Sequence, residues 1–166
     1  MPNSIKRHFL KEKEIERILK ELSHKLNVEM EQLLGPKPPI ELAEMQFTEI
    51  FISNGKPILA RLDNTLFPTL AFDKILPHLP KVIVDMGAVP HICNGADVMA
   101  PGIVRIEGDF KENDILLITD ERHEKPLAIA IALFGSQHMR KLTQGKAVKN
   151  IHYVGDKLWN LLKKIQ

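Results

Sequence analysis

The stretch from Lys81 to Ile106 carries the residues of this chain whose types and spacing could support chemistry or ligand binding. They are Asp85, His91 and Cys93, together with Gly87, Gly95 and Gly102. A carboxylate, or a thiol beside an imidazole, can take part in acid–base or nucleophilic catalysis. Glycines at the ends of short elements act differently, because a backbone without a Cβ exposes its N–H groups to a phosphate or a base edge. The glycines at these junctions therefore favour a surface that binds through its backbone over a catalytic site.

The search for catalytic motifs favours the same interpretation. The chain has no nucleophile elbow, no glycine-rich phosphate loop with Lys and Ser or Thr, no His-Glu-x-x-His and no paired cysteines. His91 and Cys93 are two residues apart in a predicted short helix, and side chains at that spacing point to different sides. We therefore predict a structural Cys93, a turn-forming Asp85 that accepts backbone hydrogen bonds, and no catalytic residue, metal or cofactor. The alternative is an enzyme in which Asp85 or Cys93 takes part in catalysis.

The order of these residues resembles the signature of the PUA domain, the RNA-binding module of pseudouridine synthases and archaeosine transglycosylases. That signature is a strand, Asp-x-Gly-Ala, a short helix and Gly-Ala-x-x-Met-x-Pro-Gly. The matching residues are Asp85, Gly87, Ala88, Gly95, Ala96, Met99, Pro101 and Gly102. Three further segments are similar to the malignant T-cell-amplified-sequence proteins in their archaeal form: Phe67-Pro68-Thr69-Leu70, Asn150-Ile151-His152-Tyr153 and Asp156-Lys157-Leu158-Trp159.

The resemblance implies an RNA surface built from the first short helix, the following strand and the closing strand of the PUA domain. By position, the residues it implies near RNA are Lys81, Met86, His91, Asn94, Met99, Ala100, Arg105, His152 and Tyr153. The glycine junction adds four candidates whose backbone N–H groups can be approached closely: Gly87, Ala88, Gly95 and Ala96. For Gly102 we expect close packing instead.

Charge is distributed unevenly along the chain. The formal net charge is +2, but the segment from residue 140 to the end has one acid, Asp156, and seven bases: Arg140, Lys141, Lys146, Lys149, Lys157, Lys163 and Lys164. One basic face would suit an anionic partner, because phosphate contacts supply much of the affinity for nucleic acid, and Arg140 and Lys141 are further RNA-binding candidates. The alternative is that the lysines of the terminal helix only solvate it and favour its C-terminal dipole.

Hydrophobic periodicity predicts the elements of the first half of the chain. Apolar residues at helical spacing predict an amphipathic helix over Glu12–Leu26. Asn54 and Gly55 indicate a hairpin turn, because both residue types tolerate φ > 0. The predicted strands are Ile40–Glu44, Phe47–Ile52 and Pro57–Leu62, followed by a short helix over Leu66–Leu76 that Pro68 breaks.

The second half alternates strands and turns in the manner of a compact barrel. Its predicted strands are Val82–Val84, Ala96–Ile106, Ile115–Thr119, Leu127–Phe134 and Val148–Val154. Ser136 is expected to cap a short helix that reaches Leu142, and Asp156 to cap a final helix that Trp159 anchors to the core. We therefore predict a two-domain α+β protein: an N-terminal α/β module over residues 1–78 and a C-terminal PUA β pseudo-barrel over residues 79–166.

Composition favours a cytoplasmic protein. No apolar run is long enough to cross a membrane, the N-terminus lacks the apolar core of a signal peptide, and the single cysteine excludes an internal disulfide. The resemblance implies a non-enzymatic RNA-binding protein that acts in translation on the small ribosomal subunit, in recruiting or releasing tRNA or in recycling subunits. The partners it implies are structured rRNA or tRNA and a factor like density-regulated protein, with no DNA and no membrane. The alternative is an accessory subunit that targets RNA to a modifying enzyme of the pseudouridine synthase or archaeosine transglycosylase type.

Overall fold

The computed structural model describes residues 5–45 and 47–165 of the chain, so that residues 1–4, 46 and 166 of the two predicted domains lie outside the described residues. The first half contains two helices, α1 (Glu12–Leu26) and α2 (Met30–Leu34), and five strands. The strands pair antiparallel in chain order: β1 (Lys6–Phe9), β2 (Glu41–Met45), β3 (Thr48–Ser53), β4 (Lys56–Leu62) and β5 (Thr65–Pro68).

Local sequence explains the elements that position this sheet. Helix α1 has the predicted bounds, and it ends because Asn27 adopts the left-handed conformation with φ 54°. The β3–β4 hairpin turns at Asn54 and Gly55, whose φ angles of 50° and 79° confirm the predicted turn. Successive residues of a strand face opposite sides, so Leu42 packs toward α1 while Ala43 packs toward the C-terminal helix.

The second half forms a six-stranded sheet that curls on itself. Its strands are β6 (Lys81–Val84), β7 (Val98–Met99), β8 (Ile103–Glu107), β9 (Ile115–Asp120), β10 (Pro126–Ala132) and β11 (Lys146–Tyr153), in the order β7-β11-β10-β9-β6-β8. Its helices are α3 (Val89–Ile92), α4 (Ser136–Met139) and α5 (Lys157–Ile165). Only a 3-10 turn over Ala100–Gly102 separates β7 from β8, although these strands lie at opposite edges, so the two edges must approach each other.

Among the described residues, the hydrophobic core has three clusters, and two of them involve both halves. The first joins the N-terminal sheet and α1 to Ile115, Leu117 and Ile129 of the second sheet. The second lies within the C-terminal half. The third places Leu162 of α5 against the outer face of the N-terminal sheet. The division between residues 78 and 79 stays a prediction, and across it the two halves share apolar surface.

Several elements differ from the predictions for physical reasons. The strand expected over Ala96–Ile106 is broken, because the chain turns at Pro101 to pass from one sheet edge to the other. The helix expected over Leu66–Leu76 is wrong: its first residues extend β5, which pairs with β4. Strand β1 and helix α2 were not predicted, since their residues carry little periodicity. Among the described residues, no helix is both long and apolar enough to cross a bilayer.

Candidate nucleic-acid interface

Asp85 organises the turn that follows β6. Its carboxylate Oδ1 accepts a hydrogen bond of 2.8 Å from the backbone N–H of Ala88, and its own N–H donates to the carbonyl of Gly102 at 3.0 Å. Helix α3 begins directly afterwards, with Pro90 in its first turn, where a missing N–H costs nothing. The prediction that Asp85 belongs to the turn is confirmed. Oδ1 of its carboxylate is already bound by a backbone N–H group.

Gly95 closes the segment after α3, and two features disfavour any other residue there. Its φ is 94°, and a Cβ at this position would lie 3.1 Å from the hydroxyl oxygen of Tyr153. Gly87 is different, because its φ is not left-handed and an added Cβ would lie 3.4 Å from the Asp85 carboxylate, an ordinary contact. The backbone of Gly87 is therefore exposed without being strained.

Asn150 on β11 holds this segment in place. Its side-chain amide Nδ2 donates hydrogen bonds of 3.1 Å to the carbonyls of Ile92 and Ala96. Its backbone N–H donates to the carboxylate of Asp97 at 2.9 Å. Asn150 belongs to one of the family-like segments of the sequence. Its role in positioning the glycine junction was not predicted, since this role depends on contacts between distant parts of the chain.

Most of the predicted RNA-binding residues around the glycine junction are accessible. The exposed ones are Gly87, His91, Asn94, Gly95, Ala96, Met99 and Arg105, and the half-buried ones are Lys81, Met86 and Ala88. Met99 is 46% exposed, a large fraction for an apolar side chain, and lies opposite Lys146 in the β7–β11 ladder. We call the surface formed by Asp85 to Met99 the junction surface. It combines the exposed backbone of Gly87 with one large exposed apolar side chain, that of Met99. The prediction of open N–H groups at Ala88, Gly95 and Ala96 is wrong, because all three already donate to carbonyl oxygens of the protein.

His152 does not belong to this surface. Its side chain is completely buried, Nε2 accepts a hydrogen bond of 3.2 Å from the backbone N–H of Leu70, and Nδ1 lies 2.9 Å from the carboxylate of Asp156. The prediction that His152 contacts RNA is wrong, because both ring nitrogens have partners inside the protein. Its place in the closing segment reflects a structural bond between the two halves.

Ala100 also requires correction. It is 7% exposed, and its backbone N–H donates to the carbonyl of Gly145 at 2.8 Å. Neither its methyl group nor its N–H is therefore available to a ligand. The residue holds β7 against the start of β11, and the neighbouring Met99 is the one that faces outward.

The basic candidates divide between distant places. Arg140 donates from Nη2 to the carbonyl of Gly108 at 2.9 Å, at the end of the β6–β8 ladder where Lys81 pairs with Glu107. The junction surface follows the opposite end of the same ladder, after Val84. Lys141 is exposed next to Arg140, whereas Lys157, Lys163 and Lys164 lie on α5, with Lys163 over the ring of Trp159. The seven C-terminal bases do not form one continuous face.

A charged loop that the sequence showed only as a connection lies beside the junction surface. It is the β9–β10 tip, residues 120–125, and the buried carboxylate of Asp120 accepts hydrogen bonds from the backbone N–H groups of Arg122, His123 and Lys125. These bonds, the one from His123 foremost, hold the pKa of Asp120 below its usual value despite burial. The tip therefore has a fixed shape that presents the side chains of Arg122, His123 and Lys125 to solvent.

Comparisons with known proteins agree with this geometry. The family model described as PUA domain matches residues 80–154, and the model described as Domain of unknown function (DUF1947) matches residues 6–83. An uncharacterised protein of Methanocaldococcus jannaschii is 41% identical over 156 residues, which cover 93% of this chain and 96% of that protein. Translation machinery-associated protein 20 of Schizosaccharomyces pombe is 30% identical over 119 residues, covering 68% of this chain and 66% of that protein.

Malignant T-cell-amplified sequence 2 of Homo sapiens is 27% identical over 141 residues, covering 80% of this chain and 76% of that protein. The chain belongs to the family of PUA-domain proteins that includes the Methanocaldococcus jannaschii protein. A crystal structure of a hypothetical protein from Pyrococcus horikoshii has 37% identity and a TM-score of 0.82, covering 95% of this chain and 99% of that chain. The predicted family and the α+β fold with a PUA domain are confirmed.

Within this PUA-domain protein, the thiol of Cys93 is half-buried, and burial raises its pKa. A raised pKa keeps the sulfur protonated and lowers its reactivity at neutral pH, as expected of a structural cysteine. Over residues 5–45 and 47–165, no three His, Cys, Asp or Glu side chains come together to hold a metal ion.

Proposed function

We propose that this protein binds structured RNA through the junction surface and the β9–β10 tip, without chemistry of its own. The observation that carries this proposal is the exposed glycine junction, where the backbone of Gly87 faces solvent and Asn150 fixes the segment that ends at Gly95 by binding the carbonyls of Ile92 and Ala96. A backbone N–H group that is exposed in such a turn, as at Gly87, can bind a phosphate or a base edge. The membership in a PUA-domain family supports the same ligand class.

We further propose that the protein acts in translation in the cytoplasm. The names of the relatives, translation machinery-associated protein 20 among them, support a connection with that process. We infer an action on the small ribosomal subunit, in recruiting or releasing tRNA or in recycling subunits, together with a factor like density-regulated protein. Lys81, Arg140 and Lys141 would then contact a second stretch of RNA backbone, beyond the junction surface.

Crosslinking in cells, followed by sequencing of the bound RNA, tests this function. We expect small-subunit rRNA and tRNA to dominate the crosslinks of the wild-type protein. Met99→Ala should reduce them severalfold, because Met99 is exposed on the junction surface, and Phe47→Ala is the matched control, since Phe47 is 84% exposed in the other half of the chain. Crosslinks confined to sites of base modification would favour the accessory-subunit alternative, and the absence of RNA crosslinks would overturn the proposal.

A further inference from the structure

Two carboxylates at the β9–β10 tip bind groups that could otherwise bind phosphate, one on the junction surface and one on the neighbouring strand β8. We propose that Glu121 and Glu124 are internal competitors of RNA phosphate, so that this protein releases RNA that does not fill the whole site. The inference rests on the proposed function and adds a means of regulating it. Both residues belong to a loop that the sequence alone did not connect to the site.

Glu121 is placed by the sheet and reaches the turn after β6. Its backbone N–H donates to the carbonyl of Val84 at 3.0 Å, which extends the pairing of β6 with β9. Its carboxylate Oε1 accepts a hydrogen bond of 3.3 Å from the backbone N–H of Met86. Met86 is the first residue after Asp85 and one of the residues predicted near RNA, so the Glu121 carboxylate occupies an N–H group that a phosphate at this turn would otherwise bind.

The carboxylate of Glu124 pairs with Arg105, a cationic residue that was predicted near RNA. The pairing is with Nη2 of Arg105, while Nε of Arg105 binds the carboxylate of Glu107 at 3.1 Å. An arginine that faces two carboxylates presents little free positive charge to a polyanion. A phosphate must displace at least one of them to use the planar fork of the guanidinium.

Hydrogen bonds within the tip fix the backbone that carries these two carboxylates. Glu124 has a φ of 51°, a left-handed conformation that is unusual for a residue other than glycine, asparagine or aspartate. Its N–H donates to the carbonyl of Asp120 at 3.1 Å, and the three amide hydrogen bonds to the Asp120 carboxylate close the loop around it. A non-glycine residue in this conformation persists where the surrounding structure imposes it.

The chemistry of the two anions explains the consequence for binding. A carboxylate and a phosphodiester compete for the same donors, and exposed ion pairs contribute little net stability, so RNA can displace them. An RNA that also contacts other parts of the protein gains enough free energy to displace the two carboxylates. An RNA that contacts only Met86 and Arg105 does not. Such competition raises specificity at the expense of affinity.

Filter binding of unfractionated tRNA and of small-subunit rRNA to the full-length protein tests the inference. Glu121→Gln and Glu124→Gln should each tighten binding by about two- to fivefold, because each removes a competing charge of modest strength and keeps the side-chain shape. Glu112→Gln is the matched control: Glu112 is an exposed acid of the same half, outside the ion pairs among the described residues, and it should change affinity by less than about 1.5-fold.

A double-mutant cycle separates competition at Arg105 from a general charge effect. In an Arg105→Ala background, the gain from Glu124→Gln should disappear, since the group that both anions bind is gone. Equal tightening by all three Glu→Gln variants, unchanged affinity, or a gain that survives Arg105→Ala would overturn the inference while leaving RNA binding intact. A wild-type protein that binds neither RNA would instead overturn the proposed function, and this inference with it.

Discussion

The imidazole of His152 accepts a hydrogen bond from the backbone N–H of Leu70, across a separation of 82 residues. Because Nε2 is the acceptor, Nδ1 carries the proton and donates to the carboxylate of Asp156 at 2.9 Å. Asp156 also accepts from the backbone N–H groups of Tyr153 and Trp159, at the start of α5. One chain of hydrogen bonds, centred on the buried His152, therefore connects β11, the terminal helix and the segment that follows β5.

We expect His152→Ala to destabilise the protein by about 2–4 kcal/mol, because it leaves a cavity and an unsatisfied N–H at Leu70. Urea unfolding monitored by circular dichroism measures this change. His8→Ala, at an exposed position of β1, is the control and should stay within about 0.5 kcal/mol. The RNA affinity of the folded fraction of His152→Ala should match that of the wild type. A folded variant that had lost RNA binding would restore His152 to the interface.

The same chain of hydrogen bonds predicts a dependence of stability on pH. Burial opposes the ionisation of Asp156, but the hydrogen bond from His152 and those from two backbone N–H groups outweigh it, so the folded-state pKa is lowered. A lowered folded pKa stabilises the protein above the unfolded value, about 3.9, and this contribution is lost as the pH falls through the folded value.

Urea unfolding of the wild type at pH 7 and at about pH 3 measures this loss directly. Asp156→Asn removes the titrating group, so the variant should be less stable at pH 7 and should lose less stability on acidification. The buried Asp120, whose pKa is also lowered, contributes to acid sensitivity in both proteins and serves as the common background. Parallel pH curves for the wild type and Asp156→Asn would contradict the assignment.

Local signals predicted the elements that depend on neighbouring residues. The bounds of α1 follow from apolar spacing, the β3–β4 turn from Asn54 and Gly55, and the turn after β6 from Asp85. Each of these features is decided within a few residues of sequence. The family-like order of residues around the glycine junction added the PUA fold, which no single local pattern contains.

The remaining features depend on contacts between distant residues. Asp85 to Ala88 is a local bond, but the bond from Met86 to Glu121 spans 35 residues and the one from Arg140 to Gly108 spans 32. No periodicity encodes such distances, which is why the β9–β10 tip was missed and Arg140 was grouped with lysines of α5. The burial of His152 has the same origin, since an isolated histidine does not reveal which segment covers it.

Substitution at the two junction glycines separates ligand contact from strain. Gly87→Val should reduce RNA affinity severalfold with little change in the melting temperature, because the position has ordinary φ and an added Cβ meets Asp85 only at 3.4 Å. Gly95→Val should lower stability by about 1–3 kcal/mol, since a side chain is strained at a φ of 94° and its Cβ would press against the Tyr153 hydroxyl at 3.1 Å. Filter binding and thermal melting of both variants provide the measurement.

The outcome for Gly87→Val decides between the two interpretations of the junction. Lost affinity in a protein that melts normally identifies a contact surface. Full RNA affinity in Gly87→Val would mean that ligand does not approach this backbone, and unfolding would mean that the glycine serves packing alone.

Charge reversal tests the basic residues at the far end of the β6–β8 ladder. Arg140→Glu with Lys141→Glu should weaken binding to every RNA and reduce the salt dependence, because each phosphate contact contributes a slope of about 0.7–0.9 in log affinity against log salt. The matched control is Lys157→Glu with Lys164→Glu, two exposed positions on α5, whose apolar face packs on the N-terminal sheet. Filter binding at several salt concentrations measures both. Equal losses in the two double variants would indicate a general effect of net charge.

The predicted boundary at residue 79 can be tested with the fragment over residues 79–166. This fragment keeps all six strands of the second sheet and the whole second core cluster, so we expect it to fold and to give dispersed amide signals. It should be less stable than the full chain, because Ile115, Leu117 and Ile129 lose the apolar partners of the N-terminal half and Leu162 loses the outer face of its sheet. The signals of α5 should accordingly move toward coil positions.

RNA affinity should persist in part, with a larger loss of specificity, since the fragment lacks the Lys6-Arg7-His8 edge strand that we expect to orient the protein on its target. Collapsed amide signals over the six strands would show that the shared core cluster folds as one unit and that no boundary exists at residue 79.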